Sequence, residues 1–291
     1  MPSDRSALID LLDLEPIEIN LFRGQSRDLG GHSVYGGQVI AQGLVAAART
    51  VDYGFVHSLH AYFLRPGDMG HPIVYDVDRV RNGLSFATRR VQAIQHGKVI
   101  LTMSASFQRE ETGYEHQAPM PEVPPPEALG TGLELRAKIL EPVDAASPEE
   151  RKLMVQPMDL EFRVESLDQT SPPAADDPTS RIQYFWFRST KPVPDEAMLH
   201  RCMLAFASDF GLIGTALKPH GRAKFPDPDL FVASLDHAIW FHRGFRVDDW
   251  LLYHMDTPSA QGGRGLARGL IYDRGGRLVA STAQEGLIRM R

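Results

Sequence analysis

The sequence predicts an α+β fold built from two copies of one unit, a buried helix followed by an antiparallel meander of strands. Three observations support this prediction: an Ala-rich helical pattern that starts near residue 38, a series of strand patterns after it, and the return of the same order beyond a Pro-rich segment. A sheet that curves around one long helix buries most of that helix, which is consistent with the apolar, Ala-rich composition.

The first unit begins with the helix. Gly36 and Gly37 precede a stretch to Val51 in which apolar residues recur at three- and four-residue steps. The two glycines leave the first helical amides open to an acceptor. Four strands are predicted after the helix, with a hairpin turn at His96-Gly97. They cover residues 57–64, 73–80, 86–95 and 98–108.

A Pro-rich segment separates the two units. Eight prolines lie between residues 110 and 157, interspersed with acidic residues. Such a composition is typical of a linker that crosses the surface. We therefore predict an N-terminal repeat at 1–110, a linker at 111–158 with a short helix near 133–140, and a C-terminal repeat at 159–291.

The second unit repeats the order of the first. Residues 58–63 resemble 234–240 with one inserted residue, and residues 89–104 align loosely with 268–283. A helix is predicted at 196–217. The strands are predicted at 160–165, 182–188, 231–242, 250–256, 265–272 and 277–289.

Composition limits the possible partners and the compartment. The formal net charge of -6, from 31 Lys and Arg against 37 Asp and Glu, disfavours nucleic acid or an anionic membrane as a partner. The single cysteine, Cys202, precludes an intramolecular disulfide and is predicted to be a core residue. No secretory signal pattern and no apolar run of membrane-spanning length is present. We expect a cytoplasmic protein without membrane insertion.

Several common catalytic motifs are missing from the sequence. There is no Gly-x-Ser-x-Gly elbow, no Walker loop and no His-Glu-x-x-His. His57 and His60 are three residues apart on a predicted strand, so their side chains are expected to face opposite sides and cannot share a metal there. We expect neither a metal nor another cofactor.

Several local strings, in conserved order along nearly the whole chain, resemble the acyl-CoA thioesterase II family. The strings in the first half are Leu21-Phe22-Arg23-Gly24-Gln25, Gly36-Gly37-Gln38 and the run from His57 to Gly67. The strings in the second half are Ala207-Ser208-Asp209-Phe210, Pro219-His220-Gly221, the run from Asp236 to Arg243, and Ala283-Gln284-Glu285-Gly286.

The resemblance implies a double hotdog, in which two helix-in-antiparallel-sheet repeats form one continuous sheet. It also implies hydrolysis of acyl-CoA to free acid and coenzyme A. The implied catalytic residues are Asp209 on the second long helix, Ser234 on the following strand and Gln284 on the last strand. The family has Thr or Ser at the second position, and Ser keeps the hydrogen bond while losing a methyl group.

These side-chain types suit direct attack by water on a thioester. Asp209 can act as general base, while Gln284 and Ser234 can each donate and accept hydrogen bonds that orient the water. Amides at a helix start, such as that of Gly37, can hold the substrate carbonyl oxygen. His57 is the histidine most suited to a test for a substrate-binding role.

Several alternatives remain open at this point. His57, His60 and His237 form a competing set for proton transfer, because histidine titrates near neutral pH. A non-catalytic acyl-CoA-binding hotdog would not need the three polar residues, and the His–Asp motif expected for a hotdog enoyl-CoA hydratase is not found. Exposed sheet edges predict a homodimer or homotetramer. The candidate phosphate-binding residues are Arg23, Arg65, Arg243 and Arg264.

Overall fold

The structure is a computed structural model that describes residues 6–29, 32–132, 159–165, 178–221 and 229–291. Within these residues, fourteen strands form one antiparallel sheet, and two buried helices pack on its inner face. This is the architecture of a double hotdog, so the predicted α+β fold class is confirmed.

The helices are α1 (Ala7–Leu12), α2 (Gly36–Ala48) and α3 (Ala197–Ala207). Short 3-10 segments lie at Pro126–Ala128, Pro178–Arg181 and Ile213–His220. The strands of the first half and the linker are β1 (Glu15–Glu18), β2 (Leu21–Gly24), β3 (Phe55–Phe63), β4 (Ile73–Asn82), β5 (Phe86–Gln95), β6 (Lys98–Gln108) and β7 (Gly130–Thr131). Those of the second half are β8 (Leu160–Val164), β9 (Ile182–Ser189), β10 (Leu230–Ser234), β11 (Asp236–Phe241), β12 (Leu251–Gln261), β13 (Arg264–Asp273) and β14 (Leu278–Met290).

The sheet order joins the two halves edge to edge. It runs β1-β2-β4-β5-β6-β3-β11-β14-β13-β12-β9-β8-β7, and β10 also pairs with β14. The junction is the antiparallel pair of β3 and β11, with Ala61 opposite His237 and Leu59 opposite Ile239. Because the halves share this ladder, the inner faces of both repeats form one continuous surface around the helices.

Helices α2 and α3 are buried because their residues are small or apolar on nearly every side. Ile40 and Leu44 of α2 and Met203 and Leu204 of α3 are fully buried, and the two helices contact each other. Close packing of this kind requires few large polar side chains, as the Ala-rich pattern of α2 predicts. No helix among the described residues is long and apolar enough to cross a membrane.

An equivalent arginine anchor supports the internal duplication. Just after β3, the Arg65 guanidinium donates to the Val99 carbonyl at 2.6 Å. Just after β11, the Arg243 guanidinium donates to the Leu278 carbonyl at 2.9 Å. In both halves the arginine thus fixes the end of the strand to the neighbouring strand by the same type of contact.

Three predicted features differ from the structure or lie outside it. The helix predicted at 196–217 begins at Ala197 and ends at Ala207, and the chain turns before the 3-10 segment begins at Ile213, with Gly211 at φ +70°. The strand predicted at 231–242 is broken at Leu235, between β10 and β11. The helix predicted near 133–140 lies outside the described residues.

The described part of the Pro-rich segment packs against the second half. The Pro119 carbonyl accepts a hydrogen bond from the Tyr272 hydroxyl at 3.2 Å, and the Pro124 carbonyl accepts from the Trp186 indole at 3.0 Å. The segment also supplies β7 as an edge strand beside β8. Proline has no backbone N–H to donate, but its carbonyl still accepts hydrogen bonds, so a Pro-rich segment can be held in this way.

Candidate active site

Three of the predicted residues meet around the carboxylate of Asp209. The Gln284 side-chain amide donates to Asp209 Oδ1 at 2.6 Å and to Ser234 Oγ at 3.2 Å. The Asp209 side chain is only 6% exposed, and Gln284 is fully buried. A carboxylate in such a setting needs hydrogen bonds to offset its lost hydration.

Gly37 supplies the second hydrogen bond to Asp209. Its backbone amide donates to Asp209 Oδ2 at 2.9 Å, at the first turn of α2. The helix start carries the positive end of the helix dipole, which stabilises negative charge on the carboxylate. The open amide predicted from the two glycines therefore has a protein acceptor in the structure, Asp209.

The two glycines allow this close approach. A Cβ at position 36 would lie 2.9 Å from Asp209 Oδ2, and a Cβ at position 37 would collide with the Phe206 carbonyl oxygen. Any larger residue would push the start of α2 away from the end of α3. The glycines thus set the distance between the helix start and the carboxylate.

Asp209 lies in a turn and not on the second long helix. The helix α3 ends at Ala207, Ser208 is its C-cap, and the Phe210 amide donates to the Ala207 carbonyl. The prediction that Asp209 belongs to the helix is therefore wrong by two residues. Because the turn follows the last helical residue directly, the carboxylate reaches beyond the end of α3 towards α2.

The break in the strand at Leu235 positions Ser234 beside Gln284. Ser234 is opposite Gly286 in the ladder, whereas on the other side of the break Ala238 is opposite Ala283. Asp236 stabilises the irregularity, because its carboxylate accepts the Glu285 amide at 2.7 Å. Irregularities of this type redirect side chains and are frequent next to active sites.

His237 is the fourth polar side chain in this region. Its Nδ1 lies 3.9 Å from Asp209 Oδ1, and its Nε2 lies 2.9 Å from Ser208 Oγ. Burial lowers the pKa of His237, although Asp209 and Asp236 act in the opposite direction. The ring is therefore neutral at pH 7.

Ser208 bears on the tautomer of His237, because its hydroxyl lies 3.0 Å from the Ala205 carbonyl and 2.9 Å from His237 Nε2. When its single proton goes to the carbonyl, which can only accept, His237 Nε2 carries the ring proton and donates to Ser208. Nδ1 is then a free acceptor. Within the described residues neither His237 Nδ1 nor Gln284 Oε1 has a hydrogen-bond partner.

Two phenols lie near the carboxylate, Tyr35 partly buried and Tyr253 fully buried. Tyr35 donates to the Phe206 carbonyl at 2.9 Å and stacks on Phe210, while Tyr253 donates to the Ser208 carbonyl at 2.8 Å. Burial raises the pKa of both phenols, and the charge of Asp209 adds to the effect. Neither phenol is ionised at neutral pH, so neither can act as the base.

His57 and His60 lie on the opposite face of the sheet from this region. His57 Nε2 is 2.8 Å from Ser106 Oγ, and His60 packs edge-on against Trp240. A register shift between Val56 and Ser58 turns His57 outward, so the two histidines share a face and the prediction that they face opposite sides is wrong. The structure thus separates His57 from Asp209, Ser234 and Gln284.

The candidate phosphate-binding arginines have different partners. Arg23 and Arg264 form ion pairs with Glu15 and Glu285. Arg65 and Arg243 donate instead to backbone carbonyls, as described above. Among the described residues, no grouping of potential metal ligands includes Asp209.

Fold and site together define a double-hotdog protein with a buried carboxylate, amide and hydroxyl at the start of one central helix. The family model described as acyl-CoA thioesterase matches residues 161–287, and that of the acyl-CoA thioesterase N-terminal domain matches residues 25–108. The chain belongs to the acyl-CoA thioesterase family, so the resemblance indicated by its motifs is confirmed.

Individual relatives match over nearly the whole chain. Acyl-CoA thioesterase 2 of Haemophilus influenzae is 42% identical over 287 residues, covering 97% of this chain and 96% of that protein. Acyl-coenzyme A thioesterase 8 of Homo sapiens is 38% identical over 307 residues, covering 100% of this chain and 92% of that protein.

Solved structures agree with the fold. The crystal structure of the acyl-CoA thioesterase II TesB2 from Mycobacterium marinum has a TM-score of 0.79 and 43% identity, covering 98% of this chain and 99% of that chain. A hotdog-fold protein from Alicyclobacillus acidocaldarius has a TM-score of 0.74 at 20% identity, covering 99% of each chain, and supports the fold alone.

Proposed function

We propose that this protein hydrolyses fatty acyl-CoA to free fatty acid and coenzyme A by direct attack of water, with Asp209 as general base. The observation that carries the proposal is the double hydrogen bonding of Asp209. One carboxylate oxygen accepts from Gln284 and the other from Gly37, so the base is held rigidly at a helix start. Family membership supports the same activity.

Unused hydrogen-bonding groups near Asp209 can position the attacking water. Ser234 Oγ accepts from Gln284, which leaves the Ser234 proton free to be donated. Gln284 Oε1 is an unused acceptor beside the same carboxylate. A water that donates one proton to Asp209 and the other to an unused acceptor, Gln284 Oε1 or His237 Nδ1, would keep its lone pairs free to attack a bound thioester.

The chemical steps balance without a covalent acyl-enzyme. Asp209 takes a proton as the water oxygen bonds to the thioester carbon, giving a tetrahedral oxyanion. The carbon–sulfur bond then breaks, and the departing thiolate takes the proton from Asp209, which releases the free acid and the thiol. Cys202 offers no competing nucleophile, because burial raises the pKa of its thiol to about 12.

The decisive experiment measures thiol release from a panel of acyl-CoAs of different chain lengths. Wild type is compared with Asp209→Asn, Gln284→Ala and the control Asp256→Asn, whose carboxylate pairs with Arg268 at the surface. We expect Asp209→Asn to lower kcat by about 100- to 10,000-fold, the usual contribution of a general base. The control should retain wild-type kcat, and circular dichroism checks the fold of each variant.

Other outcomes of this experiment would identify other functions. Acyl-CoA binding without thiol release would favour a non-catalytic binding protein. Hydration of crotonyl-CoA in place of thiol release would favour an enoyl-CoA hydratase. Thiol release at the wild-type rate by folded Asp209→Asn would contradict the role of the carboxylate, although the protein would still be a hydrolase.

We also propose a cytoplasmic homodimer or homotetramer. The supporting observation is an apolar patch on the outer face near the β3–β11 junction, where Tyr62 is 60% exposed and Trp240 is 37% exposed. Exposed aromatic side chains of this kind are enriched in protein interfaces. Light scattering at several protein concentrations measures the assembly, and a strictly monomeric result would contradict it.

A further inference from the structure

A cluster of two histidines and one aspartate lies at the surface of the first half. Asp68 and His71 are in the loop between β3 and β4, and His96 is in the turn between β5 and β6. Asp68 Oδ2 lies 2.8 Å from His71 Nδ1 and 3.0 Å from His96 Nε2. All three potential ligand atoms lie within 4.8 Å of one another.

The backbone around the cluster is fixed by Gln95. This side chain is buried, its carbonyl accepts the Asp68 amide at 2.8 Å, and its amide donates to the Asp68 and His71 carbonyls at 2.9 and 2.8 Å. Gln95 directly precedes His96 in the chain. One residue therefore holds both the loop and the turn, so the three side chains are brought together without a ligand.

The backbone orients the carboxylate of the cluster. The Gly70 amide donates to Asp68 Oδ1 at 2.8 Å. Because Gly70 occupies the other oxygen, Oδ2 is the oxygen left to face both imidazoles. A charged carboxylate oxygen between two imidazole nitrogens attracts a cation more strongly than imidazoles alone.

We propose that Asp68, His71 and His96 bind a divalent first-row transition metal, with Zn²⁺ as the ion of choice and water at the fourth position. Imidazole nitrogen suits Zn²⁺, Ni²⁺ and Cu²⁺, whereas Mg²⁺ and Ca²⁺ prefer oxygen ligands. Ligand atoms of a tetrahedral zinc site with bonds of about 2.0 Å are roughly 3.3 Å apart. The separations from Asp68 Oδ2 are 2.8 and 3.0 Å, and the two imidazole nitrogens lie within 4.8 Å of each other, so metal binding requires rotation of these exposed side chains.

Metal binding would replace the two hydrogen bonds to Asp68. Each neutral imidazole keeps its proton on the ring nitrogen that faces away from the metal, Nε2 for His71 and Nδ1 for His96. The loop is also tied to the segment before α2, because the Val34 amide donates to the Gly67 carbonyl at 3.0 Å. A bound ion would therefore link three segments of the first half and raise its thermal stability by mass action.

The test uses full-length, tag-free protein freed of metal with a chelator. Zn²⁺ is titrated by calorimetry, and Co²⁺ is used as an absorbance probe of the ligand set. The variants are His71→Ala and His96→Asn, the latter chosen because residue 96 has φ +49°, which asparagine tolerates. His116→Asn, at an exposed histidine outside the cluster, is the matched control.

We expect one Zn²⁺ per chain in wild type and in the control, with an increase in Tm. Each cluster variant should lose roughly 100-fold or more in affinity, since loss of even an outer-shell partner costs up to about that much. Unchanged thiol release and circular dichroism verify that the variants are folded. The proposal is overturned if wild type binds no Zn²⁺ or if the cluster variants bind as tightly as the control. Because the metal is measured directly, this result does not depend on the proposed hydrolase activity.

Discussion

The water that attacks a thioester needs acceptors for its protons, and two buried acceptors next to Asp209 are unused within the described residues. One is Gln284 Oε1 and the other is His237 Nδ1. In the tautomer of the neutral ring in which Nε2 donates to Ser208, Nδ1 of His237 can only accept. The residue therefore suits a positioning role and not that of a second base.

His237 provides the first prediction at the residue scale. We expect His237→Leu to lower kcat about tenfold or more with little change in KM, because an acceptor for the water is lost while the substrate contacts remain. His237→Asn places an amide oxygen near the position of Nδ1 and should recover a large part of kcat. Steady-state thiol release measures both variants. An equal loss in both would instead indicate a packing role through Ser208.

The sequence allowed only part of this site to be predicted. Asp209, Ser234 and Gln284 were identified through family motifs, since each is an unremarkable residue in its own segment. The link from Gly37 to Asp209 spans 172 positions and depends on how α2 meets α3, which no local pattern encodes. His57 and His60 were expected to face opposite sides of the sheet on the assumption of regular strand alternation, which does not hold at a register shift.

At the scale of elements, the separation of α2 from the end of α3 controls the site. The prediction is that Gly37→Ala lowers kcat and destabilises the protein by about 1–3 kcal/mol, because the new Cβ collides with the Phe206 carbonyl. Thiol release and urea unfolding measure the two effects.

Gly43→Ala is the matched control on the same helix. A Cβ there lies 3.3 Å from the end of the flexible Met103 side chain, and alanine is the better helix former. We expect activity near that of wild type and equal or higher stability. A similar loss of activity and stability in both variants would show that α2 tolerates no added volume at either position. That result would contradict a specific role of Gly37.

Another element-scale prediction concerns the end of α2. Arg89 of β5 is 1% exposed and donates to Thr50, just beyond the helix, and to Asn82 at the end of β4. We expect Arg89→Met to reduce the free energy of unfolding by about 2–4 kcal/mol, because several charge-assisted hydrogen bonds are lost and the Thr50 acceptors stay buried.

The neighbouring Arg90 is the control for this prediction. It pairs with Asp78 at the surface, where both side chains are more than half exposed, so Arg90→Met should cost less than about 1 kcal/mol. Urea unfolding of the two variants gives the comparison. Equal losses would mean that the buried network contributes no more than a surface ion pair.

Long, regular elements could be predicted from the sequence, and their interruptions could not. The pattern of α2 and the alternation of β5, β6 and β13 reflect burial on one side, which periodicity reports directly. The end of α3 and the break at Leu235 depend on tertiary contacts such as the Asp236 bond to the Glu285 amide. The ligands of the proposed metal site form no sequence motif, because they lie on two separate loops that only the fold brings together.

At the scale of the whole molecule, one sheet encloses two helices, and two histidines, His200 and His237, become fully buried in it. Full burial lowers the pKa of these two from the ordinary value of 6.5, and partial burial lowers the pKa of His57 and His254. For His200 burial is the main cause, and Nδ1 also accepts the Val247 amide at 3.1 Å, a bond that protonation of Nδ1 would break. These histidines couple the stability of the fold to pH.

The last prediction follows from the sign of this coupling. Below pH 6.5 the unfolded chain binds protons at these histidines while the folded chain does not, so the stabilisation present above pH 6.5 is lost as pH falls towards the lower folded-state pKa values. Each fully buried histidine contributes a slope of up to about 1.4 kcal/mol per pH unit.

Urea unfolding at pH 7.5, 6.5 and 5.5 should show little change in the free energy of unfolding over the first step and a clear decrease over the second. His200→Asn, whose amide oxygen can accept the Val247 amide without titrating, should make the second step smaller. A free energy of unfolding that stays constant down to pH 5.5 would show that the buried histidines do not control the pH dependence of stability. The same decrease between pH 6.5 and 5.5 in His200→Asn as in wild type would exclude a contribution from His200.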